Sequence, residues 1–181
     1  PIVLMGYFNT FINSLDSTRS IHDINDDICN ELKKNGVDGL IIVDLPYEES
    51  EAIFKKLSNY EIDLIRLISP TTNDYRINEI ISNSSGFLYY VSLKGITGAE
   101  IDSYDELKKR VQEIKESSSI PVVIGFGIKD RETASKMSSF ADGVVVGSAI
   151  VDMISNSEKQ ENKLVLNKIS KFVGDIKSSI Q

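Results

Sequence analysis

Short apolar runs alternate with segments of helical periodicity along the whole chain, and this alternation is the strongest constraint on its fold. Each run holds four to seven residues, mostly Val, Ile, Leu, Phe or Tyr, as expected for strands buried on both faces. The six predicted strands are residues 2–7, 39–44, 63–68, 87–92, 120–125 and 143–147. Strands that alternate with helices form a parallel sheet joined by right-handed crossovers.

Helices are predicted from apolar spacings of three and four residues. One such series is Ile21, Ile24, Ile28 and Leu32; a second is Leu107, Val111 and Ile114; the last is Val165, Ile169, Phe172, Val173, Ile176 and Ile180. Six strand–helix units are two short of a (β/α)₈ barrel. The chain also begins inside an apolar run, so we expect its front to precede Pro1. We therefore predict a partial (β/α)₈ barrel forming a single domain over residues 1–181, although an open doubly wound sheet fits the same count.

Composition excludes several classes of function. The 20 basic residues against 27 acidic ones give a charge of −7, which argues against broad binding of nucleic acid but not against a local phosphate pocket. With one cysteine, Cys29, and one histidine, the chain has no Cys and His cluster, and we expect no metal site. Apolar stretches of at most seven residues do not span a membrane. Because a single cysteine cannot form an internal disulfide, we expect a reducing compartment, the cytoplasm.

Two glycine turns predict a phosphate site. The fifth predicted strand leads into Gly125-Phe126-Gly127, and the sixth leads into Gly147-Ser148-Ala149 just before a short apolar helix. Glycine lets the backbone approach an anion, and the amides at a helix start attract it. In a (β/α)₈ barrel, phosphate sits in the loops after the last two strands. Either turn alone is typical of an ordinary strand-to-helix connection, but both together in this order favour a phosphate-binding site.

Two further strand ends carry candidate functional residues. The fourth predicted strand ends in Tyr89-Tyr90-Val91-Ser92 and continues into a loop in which glycines flank Thr97, a composition typical of a lid. The second ends in Asp44-Leu45-Pro46, where the carboxylate is a candidate lid latch or acid/base, or else a helix cap.

These segments together resemble the tryptophan synthase alpha chain family. The matching motifs are Leu4-Met5-Gly6-Tyr7-Phe8-Asn9, Asp44-Leu45-Pro46-Tyr47-Glu48-Glu49-Ser50, Ser69-Pro70-Thr71-Thr72, Tyr89-Tyr90-Val91-Ser92 with Gly95-Ile96-Thr97-Gly98, Gly125-Phe126-Gly127-Ile128, and 141–150. They occur in the family's order over the whole chain. The resemblance implies a lyase that cleaves indole-3-glycerol phosphate into indole and glyceraldehyde 3-phosphate in tryptophan biosynthesis. It also implies a heterotetramer of two alpha and two beta chains, in which pyridoxal phosphate belongs to the beta chain.

The resemblance also assigns roles to residues. Gly98, Phe126, Gly127, Gly147 and Ser148 would bind the phosphate. Tyr7 and Tyr89 would line the substrate pocket, and Asp44 would meet Thr97 when the lid closes. Asn9 and Pro46 would lie on the rim that faces the beta chain.

The family pattern is not matched everywhere. The family's general acid, a Glu after its first strand, and its indole N–H acceptor, an Asp after its second, have no counterpart from Pro1 onward, so the catalytic residues are unassigned. We expect this chain alone to be inactive. Residues 13–27 also form a longer connection than is usual in the family, which bears on docking of the beta chain.

Two alternatives to the lyase remain open. The chain could be another phosphate-binding barrel enzyme with a Lys or Asp acid/base, for which Lys94 and Asp44 are the only candidates. It could also be a non-catalytic activator of a beta-type partner.

Overall fold

A computed structural model describes residues 1–12, 24–91, 104–125, 127–157 and 162–180. Its contacts divide the chain into two compact units, residues 1–89 and 90–181. The prediction of a single domain stays a prediction. Among the described helices, none is long and apolar enough to cross a membrane.

The first unit alternates strands and helices. Its elements are β1 (Val3–Gly6), α1 (Phe8–Ile12), α2 (Asp26–Lys34), β2 (Gly39–Ile42), α3 (Tyr47–Asn59), β3 (Asp63–Ile68) and α4 (Asp74–Ser82), followed by β4 (Leu88–Tyr90), inside which the boundary falls. β1 pairs with β2 and β2 with β3, all parallel, with Gly6 opposite Ile42 and Leu40 opposite Leu64. The strand order follows the chain, as the alternating pattern predicts.

The core of the first unit lies between the sheet and its helices. All four residues of β2 are buried, and so are Ile53 and Leu57 of α3. Cys29 of α2 is fully buried and packs in this core, as its place on an apolar helix face indicates.

One predicted helix begins later than its apolar spacing suggests. Ile24 is fully buried, but α2 starts only at Asp26, because the side chain of Asn25 accepts a hydrogen bond from the Ile28 amide at 3.0 Å and caps the helix there. Inclusion of Ile24 in the helix was therefore wrong, although its burial was correctly anticipated. Ile21 lies outside the described residues.

The second unit repeats the pattern. Its elements after β4 are α5 (Tyr104–Ser117), β5 (Val122–Ile124), α6 (Arg131–Ser138), β6 (Gly143–Val144), α7 (Ser148–Ser155) and α8 (Asn162–Lys177). β5 and β6 are parallel, with Val123 opposite Gly143 and Ile124 opposite Val144. The predicted apolar face of α5, formed by Leu107, Val111 and Ile114, is buried. Of the predicted stripe on α8, Ile176 is buried, whereas Val173 is 45% exposed and Ile180 follows the helix.

Candidate functional site

The carboxyl ends of β1 and β2 lie at one edge of the first unit, because the two strands are parallel and in register. The ladder continues past the strands, with the Val43 amide donating to Gly6 O at 3.0 Å. One residue further on, the Phe8 amide donates to Asp44 Oδ1 at 2.7 Å. Asp44 therefore receives the first N–H of α1, where a carboxylate also complements the helix dipole.

The predicted pocket and rim residues of the first unit lie at this edge or on β4. Tyr7, between β1 and α1, is 60% exposed, and its carbonyl accepts from the Thr10 amide at 3.0 Å. Asn9 on α1 and Pro46 at the start of α3 are both exposed. Tyr89 on β4 is half-buried, and burial raises the pKa of its phenol.

The tyrosine pair on β4 divides as strand alternation predicts. Tyr90 is only 2% exposed, whereas its neighbour Tyr89 keeps partial access to solvent. Burial also raises the pKa of Tyr90, and the nearby Arg110 partly offsets this. Of the two, Tyr89 is the one whose side chain a ligand can reach.

The two glycine turns of the second unit lie at equivalent positions. Ile124 of β5 is opposite Val144 of β6 in the parallel pair. Gly127 comes three residues after Ile124, and Gly147 comes three residues after Val144. Both turns are therefore at the carboxyl edge of the β5–β6 pair. This is the edge at which (β/α)₈ barrels hold phosphate.

Gly127 and Gly147 leave their backbones accessible in different ways. Gly127 has φ +60°, in the left-handed region that favours glycine. Gly147 is the N-cap of α7, with φ −114°, and no side chain caps the helix there. A Cβ at either position would meet no atom within 4 Å, so both backbones border open space.

Ser148 begins α7 at an exposed position. The Gly147 carbonyl accepts from the amides of Ile150 and Val151 at 3.0 and 3.1 Å, which sets the first turn of the helix. The start of α7 thus presents uncapped backbone amides together with the Ser148 hydroxyl, a combination suited to an oxyanion.

Three predicted site residues lie outside the described part of the chain. They are Thr97 of the proposed lid, and Gly98 and Phe126, which are predicted to bind the phosphate. Within the described residues, no group of three or more His, Cys, Asp and Glu side chains is placed to hold a metal ion.

Comparison with known proteins places the chain in a family. The family model described as "Tryptophan synthase alpha chain" matches residues 1–181. The chain belongs to the tryptophan synthase alpha chain family. It is 38% identical over 180 residues to the tryptophan synthase alpha chain of Hydrogenovibrio crunogenus, covering 99% of this chain and 63% of that protein. The chain thus spans less than two thirds of the length of this relative.

Solved structures agree with the family. Tryptophan synthase subunit alpha from Legionella pneumophila matches with a TM-score of 0.82 and 32% identity, over 99% of this chain and 62% of that one. A structure that addresses mutual activation in the tryptophan synthase α₂β₂ complex from Pyrococcus furiosus matches with a TM-score of 0.80 and 30% identity. This match covers 98% of this chain and 67% of the Pyrococcus furiosus chain. These likenesses confirm the predicted fold class, a partial (β/α)₈ barrel.

Sequence reasoning missed the partner of Asp44 and a buried arginine. The Asp44–Phe8 bond joins residues 36 positions apart, so only the register of β1 against β2 reveals it. Arg66 interrupts the apolar run Leu64-Ile65-Arg66-Leu67-Ile68 and is only 7% exposed. A charged residue inside a buried strand is a visible signal, because such groups are seldom buried without a partner.

Proposed function

We propose that this chain forms part of the alpha subunit of tryptophan synthase, a lyase in tryptophan biosynthesis. The reaction is the retro-aldol cleavage of indole-3-glycerol phosphate into indole and glyceraldehyde 3-phosphate. Support comes from membership of the family over residues 1–181. The observation that carries the proposal is the pair of accessible glycine turns three residues beyond the partners Ile124 and Val144.

The phosphate end of the substrate is assigned to the second unit. Amides at Gly127, Gly147 and Ser148 would donate to the phosphate oxygens, with the Ser148 hydroxyl as a further donor. Phe126 and Gly98 complete the set by family resemblance. Such a site binds phosphate through backbone dipoles without a lysine or arginine, which suits a chain of net charge −7.

The remaining pocket and partner contacts follow the same assignment. Tyr7 would contact the indole and Tyr89 the glycerol part, while Asn9 and Pro46 would face a beta chain in a heterotetramer of two alpha and two beta chains. Pyridoxal phosphate belongs to that beta chain in this proposal. We place the protein in the cytoplasm, because a sequence with one cysteine, Cys29, forms no internal disulfide.

The chemistry of cleavage requires more than these residues supply. Carbon–carbon cleavage needs protonation at indole C3 and stabilisation of the positive charge that develops on the ring nitrogen. The matched motifs contain neither the family's Glu nor its Asp. We therefore expect the 181 residues to bind the phosphate end of the substrate without turning it over.

The test is Gly147→Leu in a subunit that carries these residues and is assembled with a beta chain. A leucine there meets open space in the protein, so the fold should persist while the side chain fills the anion site. We expect the KM for indole-3-glycerol phosphate to rise at least tenfold. Gly174→Leu is the matched control, because a Cβ on Gly174 of α8 also meets no atom within 4 Å. An unchanged KM in Gly147→Leu, with the fold intact, would contradict the phosphate assignment.

Lid closure is proposed to use Asp44 and Thr97. A carboxylate can accept more than one hydrogen bond, so the bond from the Phe8 amide leaves Asp44 able to receive the Thr97 hydroxyl. Thr97→Val and Asp44→Asn should each lower kcat/KM roughly ten- to a hundredfold, corresponding to about 1.5–3 kcal/mol. The double variant should lose little more, because both changes remove one contact. Strictly additive losses in this double-mutant cycle would show that the two residues act separately.

A further inference from the structure

A small polar cavity lies wholly within the first unit, where β2 and β3 lead into α3 and α4. Its volume is about 190 Å³, roughly six times the ~30 Å³ share of one water molecule in the liquid. Two arginines line it, Arg66 of β3 and Arg76 of α4, together with Leu45, Pro46, Tyr47 and Thr72. Of the described residues, none that is assigned to the substrate phosphate lines this cavity.

Arg66 is a buried charge with little protein support. Its side chain is more than nine-tenths buried, and its Nη2 donates to Leu45 O across a long 3.4 Å. Within the described residues, its Nη1 is the buried side-chain nitrogen or oxygen that has no hydrogen-bond partner. Leaving a guanidinium N–H buried and unpaired is costly, because arginine stays charged and donates only.

The other charges around the cavity compensate the Arg66 charge only in part. Arg76 Nη2 pairs with Glu48 Oε2 at 3.3 Å, so the Glu48 carboxylate, itself largely exposed, is directed at Arg76. Burial first, and then the Arg76 charge, lower the pKa of Arg66, while Glu48 and Tyr47 partly offset this. The negative charge of Glu48 therefore offsets the destabilisation of the Arg66 charge only in part.

The start of α3 adds backbone N–H donors, and its first turn also carries the carboxylates of Glu48 and Glu49. Pro46 is the N-cap of this 13-residue helix, and its side chain does not cap the backbone amides. Pro46 and Tyr47 also line the cavity, so the positive end of the helix dipole lies at the cavity wall. The Tyr47 side chain is fixed in place because Asn83 Nδ2 donates to its hydroxyl at 3.2 Å.

From these features we propose that the Arg66 cavity is a binding site for a small oxyanion, a carboxylate or phosphate group. A guanidinium presents parallel N–H donors that match two oxygens of such a group. The cavity has room for one anionic group with a few waters, and not for a nucleotide. Binding there ties β3 to the starts of α3 and α4, next to Pro46 on the proposed partner rim.

The test is calorimetric titration of an alpha subunit that carries these 181 residues, with inorganic phosphate and, separately, with acetate, at constant ionic strength set by NaCl. A Gly147→Leu background removes phosphate binding at the glycine turns. We expect saturable binding of one anion per chain, weakened at least tenfold by Arg66→Met and less by Arg66→Lys, which keeps the charge but not the fork. Lys55→Met, which removes one exposed charge from α3, is the control and should leave binding unchanged.

The outcomes separate the source of the anion from the existence of the site. Saturable acetate binding that depends on Arg66 identifies a carboxylate ligand, and binding of phosphate alone identifies a phosphate ligand. Absence of saturable binding in the Gly147→Leu background overturns the proposal, and so does binding that Arg66→Met leaves intact. Should Arg66→Met fail to fold, as judged by its circular dichroism melt, Arg66→Lys decides the result.

Discussion

Asp44 shows how a single side chain fixes the geometry of a strand end. Its Oδ1 accepts the Phe8 amide at 2.7 Å, so the turn that carries Tyr7 is closed between β1 and α1. Because the bond requires only an acceptor, an amide side chain can replace the carboxylate in part. Asp44 therefore has a structural role whether or not it also latches a lid.

At this position we expect Asp44→Ala to lower the free energy of unfolding by about 1 kcal/mol, the usual contribution of one such hydrogen bond. Asp44→Asn should lose less, since the Asn carbonyl oxygen can still accept from Phe8. Urea denaturation of the two variants measures both values. Equal losses in the two variants would show that charge, and not the acceptor, is what the Phe8 amide needs.

The two glycines of the proposed phosphate turns should differ in their tolerance of alanine. Gly127 has φ +60°, where an L residue loses roughly 1–2 kcal/mol, whereas Gly147 has φ −114°. A Cβ clashes with nothing at either position, so the difference is conformational. We expect Gly127→Ala to be the more destabilising of the two by about 1 kcal/mol in urea denaturation. Equal stability of the two variants would contradict this reading of Gly127.

At the scale of elements, Asp142 anchors the amino ends of β5 and β6. Its Oδ2 accepts from the amide of Val122, the first residue of β5, at 2.8 Å, and its Oδ1 pairs with Lys115 of α5 at 2.6 Å. Burial alone would raise the pKa of Asp142, but the hydrogen bonds from Lys115 and the Val122 amide outweigh it and hold that pKa below its ordinary value of 3.8.

The sign of this shift sets a pH dependence. A depressed carboxyl pKa stabilises the folded state at pH above the unfolded value of 3.8, and the contribution is lost as pH falls through the lower folded value. We expect the urea midpoint of Asp142→Asn to lie below that of the original chain at pH 6, with the gap closing below about pH 4. A gap that widens on acidification would show that the carboxylate is destabilising. Partial exposure of Asp142 keeps the effect small.

Element identity followed from apolar patterning, but element ends did not. β3 occupies residues 63–68 as predicted, with four of its six residues buried. The predicted strand at 143–147 is shorter, because backbone pairing stops soon after Val144 and the chain turns into α7 at Gly147. Ends are set by caps such as Asn25, whose hydrogen bond competes with apolar spacing.

The candidate site was predictable where it rests on local chemistry. The glycines at 127 and 147 indicate their own turns, and parallel strands bring both turns to one edge of the β5–β6 pair. The contact of Asp44 with Phe8 depends on strand register, and the cavity beside Arg66 depends on how α3 and α4 meet the sheet. Neither is encoded in any short segment, so a single sequence does not reveal them.

At the scale of the whole molecule, β1 is an apolar edge strand. Within the described residues it pairs with β2 on one side and with no strand on the other. Its side chains are exposed to an unusual degree for a strand, with Val3 at 37% and Met5 at 58%. Leu4, on the opposite face from Met5, lines a cavity of about 420 Å³ with Phe11 and other apolar residues. Such an edge presents both backbone donors and apolar surface to another chain.

We therefore expect the 181-residue chain, purified alone, to self-associate with increasing concentration. Met5→Lys should reduce the association, because a lysine on an edge strand opposes pairing with a second edge and removes apolar surface. Leu166→Lys is the matched control, as Leu166 of α8 is 63% exposed but lies on a helix. Sedimentation velocity over a tenfold concentration range measures both variants. If Leu166→Lys reduces the self-association and Met5→Lys does not, the surface of α8 and not β1 mediates it. A chain that stays monomeric over the whole concentration range contradicts the expectation altogether.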